Sequence, residues 1–341
     1  MKKFKPSRRL IVLFILFLAI IALSFIISYN KVIQRPLKCD EDKIIIEVKQ
    51  GEGFYDVLNR LGDENKLSNK LLLKVKLSID KKNIRLNEGI YQIETDTTLD
   101  ELINSLENTD DNKSLVKLTI PEGYSIEDIA KTVEAKGLCS KKEFLYAVKN
   151  YDVPDFVKKN DNKRYNLEGF LYPDTYLIAN ESDANYIISM MLNRFKQVMK
   201  QVENDTNSEI KDEDIEKIIT VASMVEKEAR VDSDRPLISS VIYNRLEKDM
   251  KLQVDAAVIY ALGYHVDVVL NKHLGIDSPY NVYKYKGLPI GPIGNPGIQS
   301  IKAALLPAKT NYIYYILQKD GSHYFTDNYD DFLNKKKELG Y

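Results

Sequence analysis

Glu226 is the first candidate for chemistry because it is an ionisable residue beside an apolar helix face. In segment 218–230, IITVASMVEKEAR, apolar residues recur at i, i+3, i+4 and i+7, the spacing of a helix that packs against a core. At about 100° per residue, Glu226 falls on one shoulder of this face and Glu228, about 200° further round, on the other. The two carboxyls therefore cannot meet at one substrate atom.

Small neighbours favour Glu226 over Glu228. Ala222, Ser223 and Ala229 would leave room for a ligand above the Glu226 carboxyl. The alternative interpretation is a glutamate at the border of the core that pairs with Arg230 at i+4 on the same helix. The helix pattern leaves both interpretations open.

Other kinds of catalytic site find little support in the sequence. The three histidines lack the spacing of zinc ligands and no HExxH motif occurs, so we expect neither a metal nor a cofactor. No G-x-S-x-G motif is present, and neither cysteine has a histidine nearby in sequence. The chain is rich in aromatic residues, and the part that follows its apolar N-terminal segment is acidic. By elimination, the chemistry that remains for such a chain is carboxylate chemistry on a glycan.

Two routes of glycan cleavage are open at this point. Hydrolysis usually needs two carboxyls on opposite sides of the bond, and Asp255 or Glu168 could partner Glu226. A lytic route needs one carboxylic acid, which protonates the glycosidic oxygen and then removes a proton from the sugar's own 6-hydroxyl as that oxygen attacks C1. Partial desolvation should raise the pKa of such an acid, and the shoulder of an apolar face provides it.

The N-terminal segment predicts a membrane anchor. Residues 1–9 carry five cations and no acid, and residues 10–28 carry no charge at all. Nineteen residues at about 1.5 Å each come close to the thickness of a hydrocarbon core, and the cations place the tail in the cytoplasm. A cleaved signal peptide is the alternative, although the apolar run is long and no small-residue cleavage site follows it. Cys39, preceded by Lys38, is a poor lipoprotein site.

The remainder of the chain, which lies outside the membrane in this interpretation, is acidic. Without the five N-terminal cations, 44 basic residues face 50 acidic ones. A nucleic-acid-binding protein would need a basic face, so we expect no nucleic-acid partner. Cys39 and Cys139 could pair in an oxidising compartment or remain free thiols.

Two copies of a repeat follow a linker at residues 29–43. Segment 48–75 aligns without gaps, at an offset of 72 residues, with segment 120–147. Each copy predicts a strand, a glycine turn, a helix, an N-cap serine and a second helix, and segment 89–108 adds a strand and a Thr-capped helix. We expect region 44–150 to form small α/β modules that resemble LysM domains and hold glycan chains, or that only space the rest of the chain from the membrane.

The rest of the chain, residues 151–341, predicts a catalytic domain of mixed α+β class with a helical core. We expect long helices at 184–202, 212–230 and 237–248, a shorter one at 300–306, and a terminal hairpin from strands within 311–317 and 323–327. Segment 278–297 contains four glycines and four prolines, which predicts an ordered loop whose tyrosines could stack on sugar rings.

Several motifs in this order resemble one known family. The segments LEGFLYPDTY, VASMVEKEAR, QVDAAVIYAL, SPYNVYKYKGLPIGPIGNPG and DGSHYF are similar to those of the MltG (YceG-like) family of endolytic murein transglycosylases, from about residue 44 to the C-terminus. The resemblance implies cleavage of nascent peptidoglycan strands between N-acetylmuramic acid and N-acetylglucosamine, with 1,6-anhydro ends. It also implies a limit on strand length beside membrane-bound synthases.

The resemblance assigns roles to residues as well. The family's catalytic acid/base falls on Glu226, in agreement with the helix wheel, and Glu228 becomes a supporting acid. The supporting or substrate-binding candidates are Glu168, Gln253, Asp255, Tyr280, Asn281 and Asn295. Val254 and Ile290 stand where relatives commonly have serine and proline, which weakens these assignments but not that of Glu226.

Two rival functions remain beside the lytic transglycosylase. The first is a muramidase that hydrolyses the glycan with Glu226 and Asp255. The second is a non-catalytic glycan-binding scaffold that recruits cell-wall synthases. Product chemistry would distinguish the first from the lytic enzyme, and a Glu226→Gln variant would distinguish the second.

Overall fold

The computed structural model describes residues 8–38, 43–80, 84–107, 115–179, 182–264, 266 and 268–340, with side chains from residue 16 onward. Cys39, His265 and most of the basic tail lie outside these residues. The chain divides into two compact units, Met1–Lys117 with Ala179–Glu181, and Leu118–Ile178 with Ser182–Tyr341. The described elements are mostly helices with small two-stranded sheets, so the predicted α+β class is confirmed at this level.

The N-terminal helix α1, Arg8–Gln34, contains the predicted apolar segment. Its portion Leu16–Gln34 has a mean hydropathy of 2.1 and is almost entirely exposed. Among the described residues, this is the one helix long and apolar enough to cross a membrane, a property that anchors and signal sequences share. Near the C-terminal end of this helix, the side chain of Val32 is buried in the core of the first unit.

The first unit pairs a two-stranded antiparallel sheet with three short helices. Its elements after α1 are β1 (Lys43–Val48), α2 (Phe54–Asp63), α3 (Lys70–Asp80), β2 (Gly89–Glu94) and α4 (Leu99–Glu107). Lys43 lies opposite Glu94 and Val48 opposite Gly89. Alternate residues of β1 are buried, and they meet the apolar faces of the helices in one core.

Helix capping in this unit agrees with the sequence at one position and differs at another. Thr98 caps α4, since its Oγ1 accepts a hydrogen bond from the backbone N–H of Glu101 at 3.3 Å. The predicted cap Ser68 is wrong for α3. Its hydroxyl donates instead to the carbonyl of Arg35 at 2.6 Å, and Asn69 accepts the N–H of Leu72 at 3.1 Å. The long-range hydrogen bond from Ser68 to Arg35 therefore takes the place of the predicted local cap of α3.

Most of the elements from β3 onward belong to the second unit. In chain order, the elements from β3 onward are β3 (Leu115–Thr119), α5 (Ile126–Ala135), α6 (Lys141–Asn150), β4 (Thr175–Ala179), α7 (Ala184–Thr206), α8 (Asp212–Glu228), α9 (Arg235–Glu247), α10 (Asp255–Leu262), α11 (Asn271–Leu274), α12 (Ile298–Leu305), β5 (Tyr314–Leu317), β6 (His323–Thr326) and α13 (Tyr329–Leu339). Strand β3 pairs with β4, and β5 pairs with β6 in the predicted terminal hairpin.

Helix α8 is the centre of the second unit. It packs against α9, α10 and α12, and its residues from Ile218 to Val225 are buried on all sides. The helix ends at Glu228, two residues before the predicted end, because Ala229 has extended backbone angles. The loop 278–297 follows α11 without regular structure, and its final part, 291–297, is buried against this helical core.

Both repeat copies have the predicted strand, turn and pair of helices. The turn glycines Gly51 and Gly123 have φ values of +74° and +78°, a conformation that favours glycine. The division between the two units falls at Lys117, so the first copy belongs to the first unit and the helices of the second copy belong to the second. The second copy thereby brings its turn to helix α8.

Candidate active site

The Glu226 carboxyl lies where the C-terminal end of α8 meets the N-terminal end of α12. The backbone N–H of Gly297 donates to its Oε2 at 3.1 Å, and Arg235 Nη1 lies 3.2 Å from its Oε1. The side chain is 8% exposed. Its ion partner is thus Arg235 of α9 and not Arg230, the partner that the i+4 alternative would supply.

Arg235 holds two further polar partners besides Glu226. Its Nε donates to Asp232 Oδ1 at 2.9 Å, and its Nη1 donates to the hydroxyl of Ser300. The guanidinium would therefore keep an anionic and a neutral partner if the Glu226 carboxyl moved away or gained a proton.

A second carboxyl, Glu122, lies at the same place, and the sequence analysis missed it. A Cβ atom at Gly297 would lie 1.9 Å from Glu122 Oε1, so the carboxyl occupies the space that the missing side chain leaves. Partial desolvation and the neighbouring Glu226 raise the pKa of Glu122, while Arg235 opposes the rise. The repeat alignment offers one signal for this residue, because the first copy has the neutral Gln50 at the position where the second copy has the carboxyl of Glu122.

Glu168 lies in the core behind these carboxyls. Its oxygens accept hydrogen bonds from the hydroxyl of Tyr260 at 2.8 Å, the backbone N–H of Ile126 at 3.1 Å and the side-chain amide of Asn295 at 3.3 Å. Burial raises its pKa to about 8, although the hydrogen bonds oppose the rise. With 1% of its surface exposed, Glu168 is held inside the core by these three hydrogen bonds.

Asn295 is fully buried and fixes the turn around Gly123. Its carbonyl oxygen accepts the N–H of Gly123 at 2.7 Å, and its side-chain amide donates to the carbonyl of Tyr124 at 2.8 Å. Its Oδ1 accepts the N–H of Leu171 at 2.9 Å. Asn295 therefore holds three chain segments together beside the carboxyls.

Glu228 and Asp255 belong to a different cluster from Glu226. The hydroxyl of Tyr315 donates to Glu228 at 3.1 Å, and that of Tyr283 donates to Asp255 at 2.5 Å. Burial raises the pKa of Glu228 to about 7, and the charge of Asp255 adds to the rise. The structure therefore brings Asp255 to Glu228, and the carboxyl that it brings to Glu226 is Glu122.

The three remaining predicted residues are Tyr280, Asn281 and Gln253, and the first two are buried in the loop 278–297. Tyr280 is 3% exposed, and its ring packs edge-on against Tyr260 with centroids 4.8 Å apart. Asn281 is 1% exposed; its side-chain amide donates to the carbonyl of Leu274 at the end of α11, and its Oδ1 accepts the N–H of Tyr283. Gln253 is exposed, with a φ of +54°, and its N–H donates to Val282. Of these three side chains, Gln253 is the one accessible to a ligand.

Comparisons with known proteins agree with the resemblance found in the sequence. The profile of the YceG-like family matches residues 46–338. An endolytic murein transglycosylase of Bacillus subtilis strain 168 is 38% identical over 265 residues, covering 73% of this chain and 72% of that protein. A protein of the same name from Streptococcus pneumoniae serotype 2 is 29% identical and covers 94% of this chain, which spans 63% of that relative's length.

A solved structure gives the same result. A YceG-like protein of Listeria monocytogenes is 31% identical and superposes with a TM-score of 0.58, covering 87% of this chain and 100% of that one. The profile match extends over most of the described chain, including both carboxyl clusters. The chain belongs to the YceG-like family.

Proposed function

We propose that this protein is a lytic murein transglycosylase and that Glu226 is its acid/base. The proposal is supported by family membership and by one observation above all. The Glu226 carboxyl lies between a helix N-terminus, a shared guanidinium and a second carboxyl, Glu122. Such a constellation can stabilise both charge states of an acid that must give and then take a proton.

The reaction needs one carboxyl in two roles. Protonated Glu226 gives its proton to the oxygen that leaves C1 of N-acetylmuramic acid, and the C1–oxygen bond breaks. The resulting carboxylate removes the proton from the 6-hydroxyl of the same sugar, and O6 forms the new bond to C1. No water is consumed, the product has a 1,6-anhydro end, and Glu226 is protonated again.

Substrate must first reach a carboxyl that is nearly buried. Glu226 has to turn from Arg235 by enough to expose one oxygen to the glycosidic bond. Asp232 and Ser300 remain as partners of the guanidinium during this step. Closure of the glycan over the site would then desolvate the carboxyl further, which favours its protonated form.

The N-terminal helix supports a location at the membrane surface. An uncleaved span with a basic cytoplasmic tail would keep the catalytic region, residues 151–341, outside the membrane, next to strands that are still being synthesised. Cleavage there would end strand elongation beside membrane-bound synthases. The LysM-like region, residues 44–150, would hold the strand or set its distance from the membrane.

Product analysis of a matched pair of variants tests this function. We expect Glu226→Gln to lower the rate of strand cleavage by about 10²-fold or more, the usual contribution of a general acid. Glu228→Gln, the same exchange two residues along the same helix, should retain most of the rate. Mass spectrometry should find 1,6-anhydro ends in the wild-type digest, and wild-type turnover by Glu226→Gln would refute the assignment.

One observation favours hydrolysis as a second candidate function. Glu122 and Glu226 both contact Gly297, so the site holds two carboxyls, the number that a muramidase needs. A muramidase would leave reducing ends that contain oxygen from water, so digestion in heavy-oxygen water separates the two reactions. A scaffold without activity would keep its biological effect in the Glu226→Gln variant.

A further inference from the structure

A pocket of about 370 Å³ opens on the Lys227 side of the proposed acid. The first turn of α5 and the helix α10 form its walls, and Ile293 of the buried loop contributes to its lining. Ile259 and Ala256 give one wall an apolar surface, and the ring of Tyr264 is 59% exposed at the same place. The pocket lies wholly within the second unit.

The turn at Gly123 links this pocket to Glu226. A Cβ atom at Gly123 would lie 3.5 Å from Glu226 Cγ and 4.0 Å from Lys227 Nζ. The carboxyl and the ammonium therefore flank the same glycine, and the alkyl chain of Lys227 passes over Gly294 on its way there. A ligand that extends past Glu226 around this turn would meet the pocket next.

The two acids of the pocket are already paired. Asp128 accepts hydrogen bonds from the hydroxyl of Ser125 at 2.7 Å and from Lys131 at 3.3 Å. Glu127 forms an ion pair with Lys141 at 2.7 Å and accepts the hydroxyl of Tyr165 at 2.5 Å. Each of the two carboxylates therefore already has a cationic partner, Lys131 for Asp128 and Lys141 for Glu127.

The cations Arg164 and Lys227 are available by contrast. Arg164 stacks on the ring of Tyr260 at 4.7 Å and donates one side-chain hydrogen bond, to the carbonyl of Ala261, which leaves most of its donors unused. Lys227 is exposed and forms no ion pair with any residue in the described part of the chain. The pocket thus combines two available cations with an apolar and aromatic wall.

We infer that this pocket binds a carboxylate of the peptide branch that murein strands carry. This inference rests on the proposed function. The branch begins on the lactyl group of N-acetylmuramic acid, the same sugar whose C1 bond reacts at Glu226, so it leaves the strand close to the acid. Arg164 and Lys227 bind the carboxylate, and the apolar wall receives the alkyl side chains of the peptide.

Kinetics on two strand preparations tests the inference with the full-length chain in detergent. We expect the wild type to have a higher kcat/KM on peptide-bearing strands than on strands stripped of peptide by an amidase. Lys227→Gln should lower this ratio by about fivefold. Lys200→Gln removes an exposed cation of α7 that does not line this pocket, and it should leave the ratio unchanged.

Equal wild-type rates on the two preparations, or an unchanged ratio in Lys227→Gln, would overturn the inference. A binding measurement separates it from the proposed function. In the Glu226→Gln background, calorimetry compares a disaccharide tetrapeptide with the same compound after methyl esterification of its carboxylates. Tighter binding of the free acid, lost in Lys227→Gln, supports the pocket even if no strand is cleaved, whereas equal binding contradicts it.

Discussion

At the scale of single residues, Glu122 distinguishes the two possible reactions. Glutamine at this position resembles the protonated carboxyl that the raised pKa of Glu122 favours. In the lytic proposal Glu122 takes no part in proton transfer, so we expect Glu122→Gln to keep its rate within about threefold of wild type across the pH range. A hydrolase that uses Glu122 as its base would lose about 10²-fold or more. Measured pH profiles of kcat/KM decide between them.

Glu168 should give the stability of the second unit a particular pH dependence. Its pKa is raised to about 8 from an ordinary value of 4.5, so between these values the folded protein holds a proton that the unfolded chain releases. This group therefore lowers the free energy of unfolding as pH rises through that range. We expect urea unfolding of Glu168→Gln at pH 5, 6.5 and 8 to show a gain relative to wild type that grows with pH. A constant difference would contradict the buried, protonated carboxyl.

Sequence reasoning predicted the position of the Glu226 carboxyl beside an apolar face but not the residues that surround it. The position of Glu226 beside an apolar face follows from helix geometry, which is local in sequence. Arg235 contacts it from α9, which packs against α8, and Glu122 lies beside it although it comes from the repeat region about 100 residues earlier in the chain. No helical or strand period encodes such contacts. They depend on the way in which three segments pack around Gly297.

At the scale of elements, regular periods predicted the helices and strands, and long-range contacts altered their ends. The first strand, both helix pairs and the terminal hairpin lie close to their predicted positions. Ser68 does not cap α3 as predicted, because its hydroxyl donates to the carbonyl of Arg35. The buried part of the loop, 291–297, was predicted as ordered, but which residues it packs against was not predictable from its glycines and prolines.

Two glycines with similar backbone angles should respond very differently to alanine. Gly169 has a φ of +91°, and a Cβ there would lie 2.6 Å from Pro292 and 2.8 Å from Ile219, neither of which can move freely. Gly287 has a φ of +86° and nothing within 4 Å. We expect Gly287→Ala to cost about 1 kcal/mol of backbone strain and Gly169→Ala about 2–4 kcal/mol, because overpacking adds to the strain. Urea unfolding measures both, and equal costs would show that the loop is not packed against α8 as described.

At the scale of the whole molecule, the N-terminal helix has two parts with different roles. Residues 16–28 are exposed along their length, as a membrane span would be. Val32 is 7% exposed and belongs to the core of the first unit together with Leu37. The sequence predicted that the span ends and the linker begins at residue 28. The helix instead continues to Gln34, and this last part carries the buried side chain of Val32.

Two truncations should therefore behave differently. Removal of residues 1–28 deletes the uncharged apolar segment, and it should release the protein from membranes while the first unit keeps its stability. Removal of residues 1–35 also deletes Val32 and the carbonyl of Arg35 that accepts the Ser68 hydroxyl. We expect this second truncation to lower the free energy of unfolding of the first unit by about 2–3 kcal/mol, from the lost burial of Val32, the lost packing of the partly buried Ile33 and one lost hydrogen bond. Hydrogen exchange of the β1 and β2 amides reports on this unit alone, and identical protection in the two truncated proteins would show that the end of α1 contributes nothing to its core.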